Sequence, residues 1–339
     1  MIAATNMTVA TDATVPLLEV RDLRVSFARE GASLEAVRGL NLTVNHGEVL
    51  GIVGESGSGK SIGMLAALGL QPETARVQGS VKFKGRELVG LPRRQMRDLR
   101  GSRIAMIFQD PLSSLNPVMT VGAQIAEALR LHNAGLTTKA ALERSEELMS
   151  LVAIPQPDRR LRQYPHEFSG GMRQRVMIAM AVANDPDLLI ADEPTTALDV
   201  TVQAQIMEVL AGLQARLNLG IILITHDLGV LAGHADRVAV MYAGEIVEQA
   251  GIDDIFARPS HPYTRGLIES IPDMAVERER LFSIEGTPPS LGGLPGGCPF
   301  HPRCPQVQPI CRTAVPLVHG DAAHNAACHF ADLPGGDAA

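Results

Sequence analysis

No stretch of this 339-residue chain approaches the roughly 18 consecutive apolar residues that a membrane-spanning helix needs. Basic charge is not in excess either. Thirty Lys and Arg stand against 37 Asp and Glu, a net charge of −7, which speaks against a broad nucleic-acid surface. The opening residues, MIAATNMTVATDATVP, lack both a basic segment and an apolar one, so no secretory signal peptide is expected and residues 1–16 read as a disordered tail. Cysteine is missing from the first 297 residues, and all four lie in the last 42. A cytosolic setting is expected, where thiols stay reduced and stable disulfides do not accumulate. Internal repeats are absent, and the one biased stretch is Gly/Pro-rich, at 286–299. What remains is 45% hydrophobic and 20% charged, the balance of a globular protein, with length for about two domains.

Residues 48–70, EVLGIVGESGSGKSIGMLAALGL, run from a buried-type strand through a glycine loop into a helix. Gly54, Gly57 and Gly59 allow a tight turn that aims backbone N–H groups inward, and the helix that follows adds its positive end. Glu55, Ser56 and Ser58 complete the loop. Lys60 is expected to reach the β- and γ-phosphates of ATP, and the Ser61 hydroxyl to hold Mg2+. Further on, in DPDLLIADEPTTALDV, a short apolar strand, Leu188 to Ala191, ends in Asp192 and Glu193. A carboxylate at a buried strand end is costly unless it meets a cation. Asp192 therefore reads as a magnesium-shell residue, and Glu193 as the general base that polarises the attacking water.

Between these two signals lies FSGGMRQRVMIAMAVAND. Ser169 stands at an N-cap position, with Gly170 and Gly171 exposing backbone beside it, the geometry that binds anions. A chain with a phosphate loop of its own has no need of a second anion-binding helix end. That points to a γ-phosphate supplied by another subunit, with an ordinary capped helix as the alternative.

Taken together, these segments resemble the ATP-binding subunit of an ABC transporter. GESGSGKS matches Walker A, LLIADE matches Walker B, and FSGGM is a variant of the signature sequence with Phe168 and Met172 at its two ends. Gln109 in MIFQDP matches the Q-loop, which by that resemblance is a magnesium ligand and sensor that connects to the membrane subunits. Residues 197–199, ALD, match the D-loop, His226 in LITHDL matches the switch histidine, and Phe27 matches the aromatic that stacks on adenine. The match covers about residues 17–255. It implies an α/β P-loop NTPase core at 17–257, with a helical subdomain at about 110–183 and a small Cys-containing extension at 258–339. It implies also that two cassettes pair head to tail, so that Ser169, Gly170 and Gly171 act in trans. His226 would then contact the γ-phosphate, and Asp199 would carry signals between the two chains.

The segments MIFQDPLSSLNPVMTVGAQIAEAL, YPHEFSGGMRQRVMIAMA and HPYTRGLIESIP are most similar to the oligopeptide/dipeptide importer branch. By that resemblance the chain powers solute import from the cytoplasmic face of the membrane. It would work with a second, related ATPase subunit, two permease subunits and an extracytoplasmic solute-binding protein, with no nucleic acid involved. Import of nickel or another small solute is an alternative. A non-transport ATPase acting on ribosomes or DNA is a further one, although such relatives fuse two cassettes or insert long coiled coils.

Cys298, Cys304, Cys311 and Cys328 are spaced in none of the common ferredoxin or zinc-knuckle patterns. Four clustered thiolates suit an iron–sulfur cluster or tetrahedral zinc, and unligated thiols are the remaining alternative. The family resemblance implies a [4Fe–4S] cluster, which would hold together an extension too polar and turn-rich for much core of its own.

Overall fold

The computed structural model describes residues 15–29, 32–196, 198–272 and 282–333. Most of the expected tail at 1–16, and Ala197 of the D-loop motif, lie outside them. The chain opens with two long antiparallel strands, β1 (Leu18–Arg29) and β2 (Ala32–Val44), and continues through β3 (Val49–Val53) and helix α1 (Lys60–Ala67) to β4 (Ala75–Phe83) and β5 (Arg86–Glu87). Strands β2, β1, β4 and β5 form a four-stranded antiparallel sheet in that order. In β1 the buried residues are Leu18 and Val20, then Leu23 and Val25. The alternation changes phase at an irregularity around Asp22, whose φ is +44°. This bulge keeps one face of a 12-residue strand on the core.

After α2 (Arg93–Leu99) and β6 (Ile104–Ile107) comes a helical run: α3 (Pro111–Ser114), α4 (Val121–His132), α5 (Thr138–Leu151), α6 (Pro157–Arg160) and α7 (Gly170–Ala181). The chain then alternates through β7 (Leu188–Asp192), α8 (Val200–Leu217), β8 (Gly220–Thr225), α9 (Leu228–Leu231), β9 (Arg237–Tyr242) and β10 (Glu245–Gly251). Helices α10 (Ile252–Ala257) and α11 (Pro262–Glu269) and two short strands, β11 (His319–Gly320) and β12 (His324–Ala326), follow. The second sheet has the order β11-β12-β10-β9-β3-β8-β7-β6, and its β9-β3-β8-β7-β6 portion is parallel.

Every residue of β3, β7 and β8 is buried. Their sequences, VLGIV, LLIAD and GIILIT, are nearly continuous apolar runs, as strands covered on both faces must be. Successive residues feed opposite cores. Leu50, Ile52, Leu188, Ile190, Ile222 and Ile224 pack beneath the antiparallel sheet. Their neighbours Val49, Val53, Leu189, Ala191, Ile221 and Leu223 pack against the helical side, with Ile125, Met149, Val176 and Leu210.

Thr120, Thr137, Ser169 and Asp199 cap the N-termini of α4, α5, α7 and α8, each side chain accepting a backbone N–H three residues on. Such caps are worth about 1 kcal/mol apiece. Helix α1 has none.

The C-terminal extension is held differently from what its composition suggests. Strand β12 adds antiparallel to β10, pairing Glu248 with Ala326. Phe300 is buried among Tyr242, Tyr263 and His261, with ring centroids 5.3, 5.4 and 5.7 Å away. The fully buried Glu248 carboxyl accepts from the backbone N–H groups of Ser260 (2.7 Å) and His261 (2.9 Å) and meets His324 Nε2 at 2.8 Å. Burial, with the positive charge of Arg265 adding to it, pushes His261 down to about 3, so that imidazole is neutral.

The expected [4Fe–4S] cluster, with zinc as its alternative, is corrected here. All four cysteines line one cavity, but its volume is about 20 Å3, room for about one water rather than a four-iron cube. Among the described residues no three His, Cys, Asp or Glu side chains are placed to hold a metal ion. Burial pushes the Cys298 thiol up to about 11 and raises Cys304 and Cys328 too. Strand pairing, aromatic packing and the Glu248 clasp take the place assigned to the metal.

Replacing Glu248 by Ala strands three buried donors at once. The expected loss is about 3–5 kcal/mol of stability, read from thermal or urea unfolding; an unaltered unfolding curve would remove Glu248 from the attachment.

Candidate nucleotide site

The loop between β3 and α1 ends at Gly59, whose φ of +101° is left-handed, and a Cβ there would press on the Ala36 carbonyl at 2.6 Å. Only glycine fits. With no side-chain cap on α1, its first-turn N–H groups remain for an anion. Lys60 is 5% exposed, and its Nζ donates to the carbonyls of Gly54 (2.6 Å) and Glu55 (2.9 Å) and to Ser58 Oγ (3.4 Å). Burial lowers its pKa, while the carboxylates of Glu193, Asp192 and Glu55 oppose that shift. A desolvated ammonium ringed by loop oxygens suits a polyphosphate, which would strip away those weaker partners.

Ser61 Oγ donates to Asp192 Oδ1 at 2.8 Å. Asp192 closes β7 in a buried position; desolvation raises its pKa and the Ser61 bond pulls it back. A hydroxyl and a carboxylate side by side are the hard oxygen donors that Mg2+ prefers, so the pair fits that ion.

The next residue, Glu193, has a φ of +47°, a left-handed conformation that costs a non-glycine residue about 1–2 kcal/mol. Its backbone N–H is pinned to the Ile224 carbonyl of β8 at 2.9 Å. Three groups meet at its Oε2: Gln109 Nε2 donates at 2.8 Å, Thr196 Oγ1 donates at 2.8 Å, and His226 Nδ1 lies 3.6 Å away. Gln109, expected as a magnesium ligand, is thus engaged with the base. Thr196 went unrecognised in the sequence. Its signal was the hydroxyl three residues past an acid at a strand end.

Lys60, Ser61, Gln109, Asp192, Glu193 and His226 are gathered in this way. Ser169, Gly170, Gly171 and Asp199 form a second group on α7 and α8, and none of them hydrogen-bonds to the first group among the described residues. Ser169 Oγ accepts from Met172 N–H at 3.4 Å, and Asp199 Oδ1 accepts from Val202 N–H at 3.0 Å. Gly171 lies so close to α8 that a Cβ would sit 2.5 Å from Val202 Cγ1. The two helix starts are therefore locked together. Phe27 is half-buried in β1, opposite Leu34 and Ala75, at the margin of the core under the antiparallel sheet. Glu55, in the loop between β3 and α1, is also bound by the extension. Its N–H donates to the Tyr263 hydroxyl at 2.8 Å and its carboxylate meets Arg303.

Residues 37–196 match the ABC transporter family, and residues 247–311 match the oligopeptide/dipeptide transporter C-terminal region. The chain is 54% identical over 301 residues to the oligopeptide transport ATP-binding protein OppD of Salmonella typhimurium, covering 89% of this chain and 90% of that one. It is 51% identical over 319 residues to the Escherichia coli OppD, covering 92% and 94%. The Mycobacterium tuberculosis OppD is 54% identical over 326 residues, but the chain spans only 53% of that longer protein's length. Among solved structures, a dimeric ATP-binding cassette in a post-hydrolysis state bound to ADP and Pi superposes with a TM-score of 0.62 at 26% identity, over 69% of this chain and 98% of that one. CbiO1 from Clostridium perfringens, part of the ABC transporter complex cbiONQ, gives 0.60 at 27%, over 72% and 91%.

Fold and site together define an ATP-binding cassette of the ABC transporter type. Within that class, the chain belongs to the oligopeptide transport ATP-binding family.

If Lys60 holds the phosphates, Lys60→Ala weakens MgATP binding by roughly 10- to 100-fold, the worth of a charge-assisted hydrogen-bonding group. Titration calorimetry measures this, and equal affinity would take Lys60 out of the site.

Proposed function

We propose that this chain is the ATP-hydrolysing subunit that powers import of di- and oligopeptides, acting as one of two cassettes that close on ATP between them. The observation that carries the reading is the convergence of Gln109, Thr196 and His226 on a single oxygen of Glu193, one residue past the Ser61–Asp192 pair. A carboxylate held by three groups is fixed in orientation, which suits it to take a proton from a positioned water.

Ser61 and Asp192 would hold Mg2+, which when bound neutralises charge on the β- and γ-phosphates. Lys60 shifts from the loop carbonyls to the phosphates. Glu193 accepts the proton of the attacking water as its oxygen bonds to the γ-phosphorus and ADP departs, and His226, beside the same carboxylate, meets the γ-phosphate. Ser169, Gly170 and Gly171 would serve the partner's ATP through the capped start of α7. The matched dimeric cassette bound to ADP and Pi supports that pairing.

Peptide as the cargo is supported by the OppD relatives and by the matching C-terminal region. The partners implied are a related, non-identical ATPase subunit, two permease subunits and a solute-binding protein outside the membrane. No helix among the described residues is long and apolar enough to cross a membrane. On this reading the chain sits peripherally on the cytoplasmic face, bound to the permeases. An apolar groove of about 380 Å3 supports such a contact; it is lined by Leu70, Met106, Phe108, Met177 and Met180, and Phe108 is 45% exposed directly beside Gln109.

Glu193→Gln in the assembled transporter is expected to cut ATP turnover by roughly 10²–10⁴-fold while MgATP stays bound. Peptide uptake by proteoliposomes should fall with it. Hydrolysis at the unaltered rate would refute Glu193 as the base.

A further inference from the structure

Glu55, the second residue of GESGSGKS, is gripped at three points. Its carbonyl accepts from Lys60 Nζ at 2.9 Å. Its N–H donates to the Tyr263 hydroxyl, 208 positions downstream, at 2.8 Å. Its carboxylate is clamped by a bidentate fork from Arg303, 248 positions downstream, at 2.6 Å and 2.9 Å. The Arg303 side chain is 4% exposed, and the Glu55 side chain 28%. The remaining guanidinium donors are engaged too: Nε with the Glu285 carbonyl at 3.0 Å, Nη2 with the Ile284 carbonyl at 3.3 Å, and Nη1 with the Tyr242 hydroxyl at 3.4 Å. The guanidinium also lies over the Tyr242 and Phe300 rings, 5.8 and 6.0 Å from their centroids. A fully satisfied, aromatic-backed fork of this kind is rigid.

We propose that Arg303 and Tyr263 are positioning residues of the nucleotide site, through which the C-terminal extension holds the phosphate loop ready for ATP. Two physical effects follow. The fork neutralises Glu55, so that the phosphate loop carries no uncompensated carboxylate when a polyphosphate enters; like charges a few residues apart in one loop repel even through a partly solvated medium. The tether also fixes the Glu55 backbone, and with it the carbonyl that holds the Lys60 ammonium in place. Arg303 reaches neither phosphate nor magnesium in this scheme; it acts through Glu55 alone. Tyr263 acts by the same route, from the first turn of α11. The extension thereby has a role at the ATP site distinct from the permease groove on the α7 side.

The proposal rests on the ATP reading of the loop, and full-length protein separates the two. MgATP affinity is measured by calorimetry, and KM and kcat by phosphate release with the partner cassette present. Arg303→Met keeps the aliphatic stem against Tyr242 and Phe300 but leaves Glu55 unpaired. It is expected to raise Kd and KM for MgATP roughly three- to thirtyfold, with kcat within about twofold of the parent. Arg303→Lys, which keeps the charge and loses the fork, should recover part of the affinity. Adding Glu55→Gln to Arg303→Met removes the stranded carboxylate and should bring Kd back to within about threefold of the parent, a coupling that a purely structural role would not produce. An unchanged Kd in folded Arg303→Met, or a double variant no better than the single one, overturns the proposal. Should Arg303→Met not fold, Arg303→Lys with wild-type affinity and KM overturns it as well. If the parent itself binds no MgATP, the ATP reading fails first.

Discussion

Burial on both faces dictates where chemistry can occur in this molecule. Strands β3, β7 and β8 carry almost nothing but aliphatic side chains, because each successive residue points into one of two cores. A charged group can appear only where such a strand runs out. β3 runs out into the phosphate loop, β7 ends at Asp192 and hands on to Glu193, β8 is followed by His226, and β6 by Phe108 and Gln109. The parallel pairing of these strands brings their C-terminal ends to one rim, so groups far apart in the chain meet there, as Ser61 and Asp192 do across 131 positions. Disturbing the register of one strand would move the group at its end relative to the others.

The parts of the site that depend on local pattern were legible in the sequence. An apolar pentad followed by GESGSGKS, or by an acid pair, shows both where the strand stops and what stands at its end. Gly59 needs its left-handed turn for reasons visible in the motif itself. Capping was legible at Ser169, which stands at a helix start; the matching cap from Asp199 emerges only in the fold. The two-core architecture also follows from continuous apolar runs, once those runs are assigned to central parallel strands.

What could not be read depends on contacts between distant segments. Nothing around residue 303 announces an arginine meant for residue 55, and Tyr242, Tyr263 and Phe300 are scattered aromatics until the chain folds them together. The extension looked too polar for a core because its core is borrowed from the cassette. Four cysteines in a turn-rich tail suggested a metal, yet spacing carries no information about cavity size, and they surround space for about one water. Glu55 was assigned to the nucleotide by its place in the loop. That its side chain also pairs with Arg303 could not be read there.

One feature of the sheet reaches beyond ATP chemistry. Strand β10 would be the outermost member of the large sheet if β12 did not lie along it. The sheet ends in strands of three and two residues, so few unsatisfied backbone groups face solvent. A version of this protein shortened before residue 319 would uncover the β10 residues that β12 pairs, Glu248, Gln249 and Ala250, all otherwise buried, as an open rim. Such a rim invites a strand from a second copy, so the final segment guards the molecule against self-association as well as finishing its fold.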